Sequence, residues 1–212
     1  MKVEKIEIKS DGYIRCKSSF YSALDLLNSC DTYEFTIGIN KLIGDIDSGN
    51  WGISYLLSMY KYDNQNSLYS SISTVVNQQS IPIETLWEYT CYMDEIYPLF
   101  SSEQSINQLV TQGLESNKIA NTVDEIQRMF QIDQERFQRP IQCIGNERYK
   151  AMAAVGYAHQ KQVFCFPWFS KMRFDSFHNH MPCLFNVLKS LKKIVILPLG
   201  GDVEKRSLDI MP

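Results

Sequence analysis

The sequence predicts an α/β protein: a parallel-sheet core interrupted by a helical insertion. Three observations carry that reading. The apolar run Ile39 to Ile43 ends in a Gly-rich turn and gives way to helical patterning at Ser54 to Met59. From Ser105 to about Gln138 the apolar spacing becomes helical, with Ile106, Leu109 and Val110 on one face and Val123, Ile126, Met129 and Phe130 on another. After residue 160 compact apolar runs return, separated by a helix-patterned segment. Strand, turn and helix, then a helical block, then helix, strand, helix and strand is the order of an interrupted α/β sheet. The expectation is one domain over residues 1–212, its core at about 1–93 and 160–212 and its helical subdomain at about 94–159.

The elements follow in order. Val3 to Ile8 alternates apolar and charged residues, with one slip, as a half-buried strand does. Tyr33 to Ile37 is a second strand, and Ile39 to Ile43, stopped by Gly44, a third. A polar stretch from Tyr60 to Gln79 holds a short hairpin or loop, and Glu88 to Met93 is another short strand. In the helical block, Asn121-Thr122 followed by Asp124 and Glu125 marks a helix start, and Arg139-Pro140 breaks the run. An alanine-rich helix runs from about Asn146 to His159. Val163 to Phe166, closed by Pro167, is an apolar strand, and a helix is expected over Asp175 to Leu191. Ile194 to Leu197 is a β-branched run of the kind buried in a parallel sheet, ended by Pro198 and Gly200-Gly201.

Composition bounds the function classes. Of the 212 residues, 44% are hydrophobic and 21% charged, ordinary for a folded domain large enough to need no metal or disulfide. A net charge of -3 argues against a broad basic nucleic-acid face. No segment approaches the ~18 consecutive apolar residues of a membrane span, so any membrane association is expected to be peripheral and through a partner. The start does not resemble a signal peptide, and none of the six cysteines lies at CxxC spacing. Reduced thiols in a cytoplasmic protein are expected, with Cys91, Cys143 and Cys165 in buried stretches. His159, His178 and His180 are read as solvated side chains and not as a metal site, because residues two apart on a helix do not share a face. Lys189, Lys192 and Lys193 are read as complementing a helix dipole.

Two stretches carry chemical motifs. Residues 42–59 read LIGDIDSGNWGISYLLSM. A P-loop has the form G-x-x-x-x-G-K-[ST] between strand and helix. Gly44 and Gly49 keep that spacing, but Asn50 replaces the Lys and Trp51 the hydroxyl residue. The motif therefore reduces to Gly44, Asp47, Ser48, Gly49, Asn50 and Trp51, with Asp45 and Asp47 set to repel phosphate. The second stretch is residues 143–170, CIGNERYKAMAAVGYAHQKQVFCFPWFS.

This second stretch resembles the block of an ABC-type ATPase that runs from the signature motif, L-S-G-G-[EQ], to the Walker B strand. Gly145 and Glu147 keep the signature's first glycine and its final acidic or amide residue. Asn146 replaces the second glycine, and Arg148 matches a common basic residue. Val163 to Phe166 matches the apolar strand. Pro167 then stands where the magnesium-binding Asp belongs, and Trp168 where the catalytic Glu belongs. Asp94, after the strand at 88–93, occupies roughly the position of the family's Q-loop Gln, and Leu199 lies near that of the switch His. The resemblance covers nearly the whole chain in order, and only the 143–170 block is specific by itself.

The resemblance implies a P-loop NTPase-like fold and a domain that has lost its catalysis. Phosphoryl transfer rests on charge neutralisation and on positioning of the attacking group, and the residues for both are absent by type. No catalytic residue, no metal and no cofactor is assigned, and ATP binding is expected to be weak at most. The expected role is a non-hydrolytic partner or regulatory subunit of an ABC-type complex, paired with an ATPase subunit, a permease or a second copy of itself, with the surface at Gly145, Asn146 and Glu147 as part of an interface. Two alternatives stay open: a biosynthetic accessory protein or enzyme that reuses the fold for a non-nucleotide ligand, and a weak nucleotide-binding sensor. A plainer account of the loop is that Gly145 ends it and Asn146 caps the helix.

Overall fold

The computed structural model describes residues 2–10, 15–16, 24–25, 32–44, 50–59, 72–177 and 179–203. Its front half contributes strands β1 (Lys5–Ser10), β2 (Arg15–Cys16), β3 (Leu24–Asp25), β4 (Thr32–Thr36) and β5 (Gly38–Ile43), then helix α1 (Asn50–Met59), and strands β6 (Ile72–Val76), β7 (Gln79–Ser80) and β8 (Thr90–Tyr92). Helices α2 (Ile106–Asn117), α3 (Val123–Phe130), α4 (Gln134–Phe137) and α5 (Arg148–Ala158) follow. The chain then forms β9 (Val163–Cys165), α6 (Lys171–Phe177), α7 (Met181–Ser190) and β10 (Ile194–Leu199).

The strands divide between two main sheets, where the sequence predicts one parallel core. β4, β1, β6 and β7 lie side by side in that order, and every pairing is antiparallel. The alternation in β1 explains this. Ile6 and Ile8 are fully buried while Glu7 and Lys9 face outward. An antiparallel sheet can keep one face wet, whereas parallel strands are covered on both. Asn77 and Gln78, at φ 48° and 68°, form the two-residue turn between β6 and β7 that suits a tight hairpin. The Asn77 side chain accepts hydrogen bonds from the backbone N–H groups of Glu4 (2.8 Å) and Lys5 (3.1 Å) and donates to the Lys2 carbonyl, tying the chain start to the turn.

The second sheet is parallel throughout, in the order β5-β10-β9-β8. All six residues of β10 are buried, as its unbroken apolar sequence requires. β10 runs through Pro198 to Leu199, two residues further than its sequence suggests. The Pro198 carbonyl accepts from Phe169 N–H, so that residue's backbone turns toward β9 at a level where β9 has already ended. No ladder donor is lost there.

α1 covers one face of this sheet. Its Tyr55 meets Tyr92 edge to face at 5.7 Å, and Thr90 Oγ1 donates to the Leu57 carbonyl. α5 covers the other. It is buried on nearly every side, since it also packs against α2 and α3, and this explains its alanines. A Cβ at Gly156 would stand 2.9 Å from the Phe164 ring and 3.0 Å from Cys91 Sγ, so only glycine lets helix and sheet approach this closely. Cys91 therefore faces α5, while Cys165, one step along the neighbouring register, faces α1 beside Ser58.

Several expectations need correction. The helix expected over Asp175 to Leu191 is two helices: His180 N–H closes a turn on the Phe177 carbonyl, and Pro182 lies in the first turn of α7, where its missing N–H costs nothing. Cys143 is exposed, because Ile141 and Ile144 take the inward positions of that turn. His159 is half-buried, with Nε2 3.0 Å from the Leu109 carbonyl. Lys193 is buried as well, its ammonium donating to Gln162 Oε1 at 3.1 Å. His178 lies outside the described residues. Among the described residues, no helix is long and apolar enough to cross a membrane.

Candidate functional site

Parallel α/β sheets place their sites at the carboxyl ends of the strands, where loops diverge. Here the strands deliver Gly44 after β5, Asp94 and Glu95 after β8, Pro167 and Trp168 after β9, and Gly200 after β10.

At the β5 end the described residues bond to one another. Gly44 N–H donates to the Leu199 carbonyl at 2.9 Å, and the Trp168 indole N–H donates to the Gly44 carbonyl at 3.2 Å. Pro167 is buried and Trp168 half-buried. Phe169 continues the fold-back by pairing with Leu199, and Gly200 N–H donates to the Phe169 carbonyl. A Cβ at Gly200 would lie 3.1 Å from the Trp168 ring and closer still to Asp202. Pro167 and Trp168, which the resemblance matches to Walker B, thus lie across the ends of β5 and β10. Asp47, Ser48 and Gly49 lie outside the described residues. Asn50 and Trp51 begin the backbone of α1.

At the β8 end the edge opens into a cavity of about 170 Å³, floored by Met93, Tyr149 and Met152. Asp94 and Glu95, consecutive in the loop after β8, each face an arginine. Arg148, the first residue of α5, donates to Glu95 Oε1 at 3.0 Å. Arg173, from α6, stands 3.5 Å from Asp94 Oδ2 and 3.4 Å from the Tyr149 hydroxyl. Both guanidinium groups rest on aromatic rings, Arg148 over Phe177 at 5.1 Å and Arg173 over Phe169 at 5.5 Å. Burial raises the Tyr149 pKa, while the two arginines work against that rise. Burial also works against the Arg173 charge. Tyr149 and Asp94 outweigh it and hold the group more firmly protonated than usual.

The structure therefore brings Asp94 and Arg148 together in one cavity, and Gly44 and Trp168 together in one contact. The signature-like loop stands apart from both pairs. Gly145 has φ 59° with nothing within 4 Å of a Cβ there, and Gly145 and Asn146 are exposed. Glu147 precedes α5 and pairs with Arg136 at 3.5 Å. No side chain caps α5, so Asn146 is not its cap. Sequence reasoning missed Glu95, Tyr149 and Arg173. Glu95 and Tyr149 adjoin residues already singled out, but nothing in the sequence links Arg173 to Asp94, 79 positions away.

No family model matches the chain, and no curated protein does. Among solved structures it is similar to a bacterial Atm1-family ABC exporter determined with ATP bound, at a TM-score of 0.60 and 11% identity. The match covers 93% of this chain and 35% of the exporter chain, so the protein spans about a third of that neighbour's length. At this identity the likeness is one of fold alone: a mixed α/β domain related in shape to part of an ABC exporter.

Proposed function

We propose that this chain is a catalytically inactive ABC ATPase-like domain that works through protein contacts, as the non-hydrolytic or regulatory member of an ABC-type assembly. One observation carries the reading: Trp168, in the position of the catalytic base, spends its indole N–H on the Gly44 carbonyl at 3.2 Å and packs where a nucleotide-handling side chain would need room. Beside it Pro167 is buried and offers no magnesium ligand. The fold likeness to an exporter chain solved with ATP supports the comparison of frames. The exposed turn at Gly145 and Asn146 supports a surface open to a partner.

The test has two arms. Calorimetric titration of Mg-ATP with a phosphate-release assay is expected to give binding no tighter than millimolar and no turnover, and micromolar binding with steady turnover overturns the reading. Purification from the native host is expected to bring down an ABC-type ATPase or permease, and Asn146→Arg, which adds bulk and charge to an exposed turn, is expected to reduce that recovery. Recovery unchanged by Asn146→Arg removes the loop from the interface. Gly145→Asp is a poor probe, because an L side chain at φ 59° is itself strained.

A further inference from the structure

We infer that the cavity between Asp94, Glu95, Arg148 and Arg173 is a binding site for a small oxyanion, a phosphate or a short carboxylate. The argument is a count of donors and acceptors. A guanidinium group presents a fork of N–H donors and no acceptor. Arg148 uses one nitrogen, on Glu95 Oε1 at 3.0 Å. Arg173 uses one nitrogen for both of its side-chain contacts, Asp94 Oδ2 and the Tyr149 hydroxyl, each near the limit of a hydrogen bond. Most N–H donors of the two forks have no acceptor among the described residues. The two carboxylates hold the arginines from one side, and Phe169, Tyr149 and Phe177 support them from the ring faces. What remains is an orienting frame with a surplus of donors, and its complement is rich in acceptors.

Size narrows the class. A cavity of about 170 Å³ is near the ~150 Å³ that admits one benzene, so the ligand has at most about eight heavy atoms. That fits inorganic phosphate or a carboxylate of two to four carbons, and excludes a nucleotide. Asp94 and Glu95 set the affinity by competition: an entering anion displaces or shares their hold on the arginines. This makes a prediction that a purely structural role does not, namely that neutralising either carboxylate strengthens anion binding.

The experiment titrates the purified chain with inorganic phosphate, acetate and succinate. It follows the thermal midpoint and heat of binding against sodium chloride at matched ionic strength, since phosphate also stabilises proteins without a site. Saturable binding by at least one of the three is expected below roughly 10 mM. Arg173→Gln and Arg148→Gln are expected to weaken it at least tenfold, and Glu95→Gln and Asp94→Asn to tighten it several-fold. If an arginine variant fails to fold, the two carboxylate variants still decide the matter. Saturation by none of the three anions overturns the proposal. So does saturable binding of full strength in folded Arg173→Gln protein, which places the anion elsewhere on the chain, or binding that the carboxylate variants weaken.

Discussion

One sheet edge ends in two different ways. At the β5 and β10 end, Trp168, Pro167, Phe169 and Gly200 are packed together and the hydrogen-bonding groups are matched. At the β8 end, about two strands away, four charged side chains surround an open cavity with donors to spare. The filled end answers to stability, because its described side chains and backbone groups are spent on one another. The open end answers to solution conditions, because its ion pairs are part-exposed and one of them, Arg173–Asp94, is long at 3.5 Å.

The largest expected effect breaks the filled end. Trp168→Ala opens a hole against Gly44 and Gly200 and removes an indole donor, for a cost of about 2–3 kcal/mol in denaturant melts. Trp168→Phe restores most of the packing and loses about 1 kcal/mol, that of the hydrogen bond. If Trp168→Ala costs under ~0.5 kcal/mol, the end is not packed in solution and the contrast fails.

A second test uses the opposite edge of the sheet, where Lys193 is buried ahead of β10. Burial lowers its pKa from 10.5 to about 8. Below pH 8 both folded and unfolded chains carry the charge, and the whole cost of burying it falls on the fold. Between pH 8 and 10.5 the unfolded chain binds a proton that the folded chain has released, so stability from this group rises with pH. Lys193→Met should then raise stability by about 1–2 kcal/mol at pH 7, and the gain should shrink through pH 8 to 10. A gain that is flat with pH would mean that Lys193 is hydrated.

The smallest effect belongs to the open end. Glu95→Gln should change stability by no more than about 0.5 kcal/mol, since half-exposed ion pairs contribute little. A loss above ~1.5 kcal/mol would make Glu95–Arg148 a structural clamp and erase the difference between the two ends.

These contrasts also mark what the sequence could and could not tell. β9 and β10 are legible because parallel strands buried on both faces must be unbroken apolar runs. The start of α3 is legible because Thr122 and Glu125 form a capping box, which is a local device. Partnership is not local. The alternation in β1 announces a strand with one wet face, but its antiparallel neighbours, β4 and β6, are named only by the fold. The same holds for the site. Asp94 and Arg148 can be marked by resemblance, and Trp168 by a missing carboxylate, but Arg173 enters the cavity only because α6 folds back beside α5. The turn that His180 N–H closes on the Phe177 carbonyl is not legible, because the apolar spacing of the sequence stays helical on both sides of it.

Two cysteines buried among the described residues give the chain an internal clock. Cys91 and Cys165 lie on adjacent strands yet face opposite sides of the sheet, so oxidation cannot staple them together without dismantling it. Burial pushes both thiols up, Cys165 to about 12, so neither supplies thiolate to a reagent while the sheet stands. Cys143, exposed on its turn, reacts at once. The interval between that first adduct and modification of Cys91 and Cys165 measures how often the sheet comes apart, one thiol reporting from under α5 and the other from under α1.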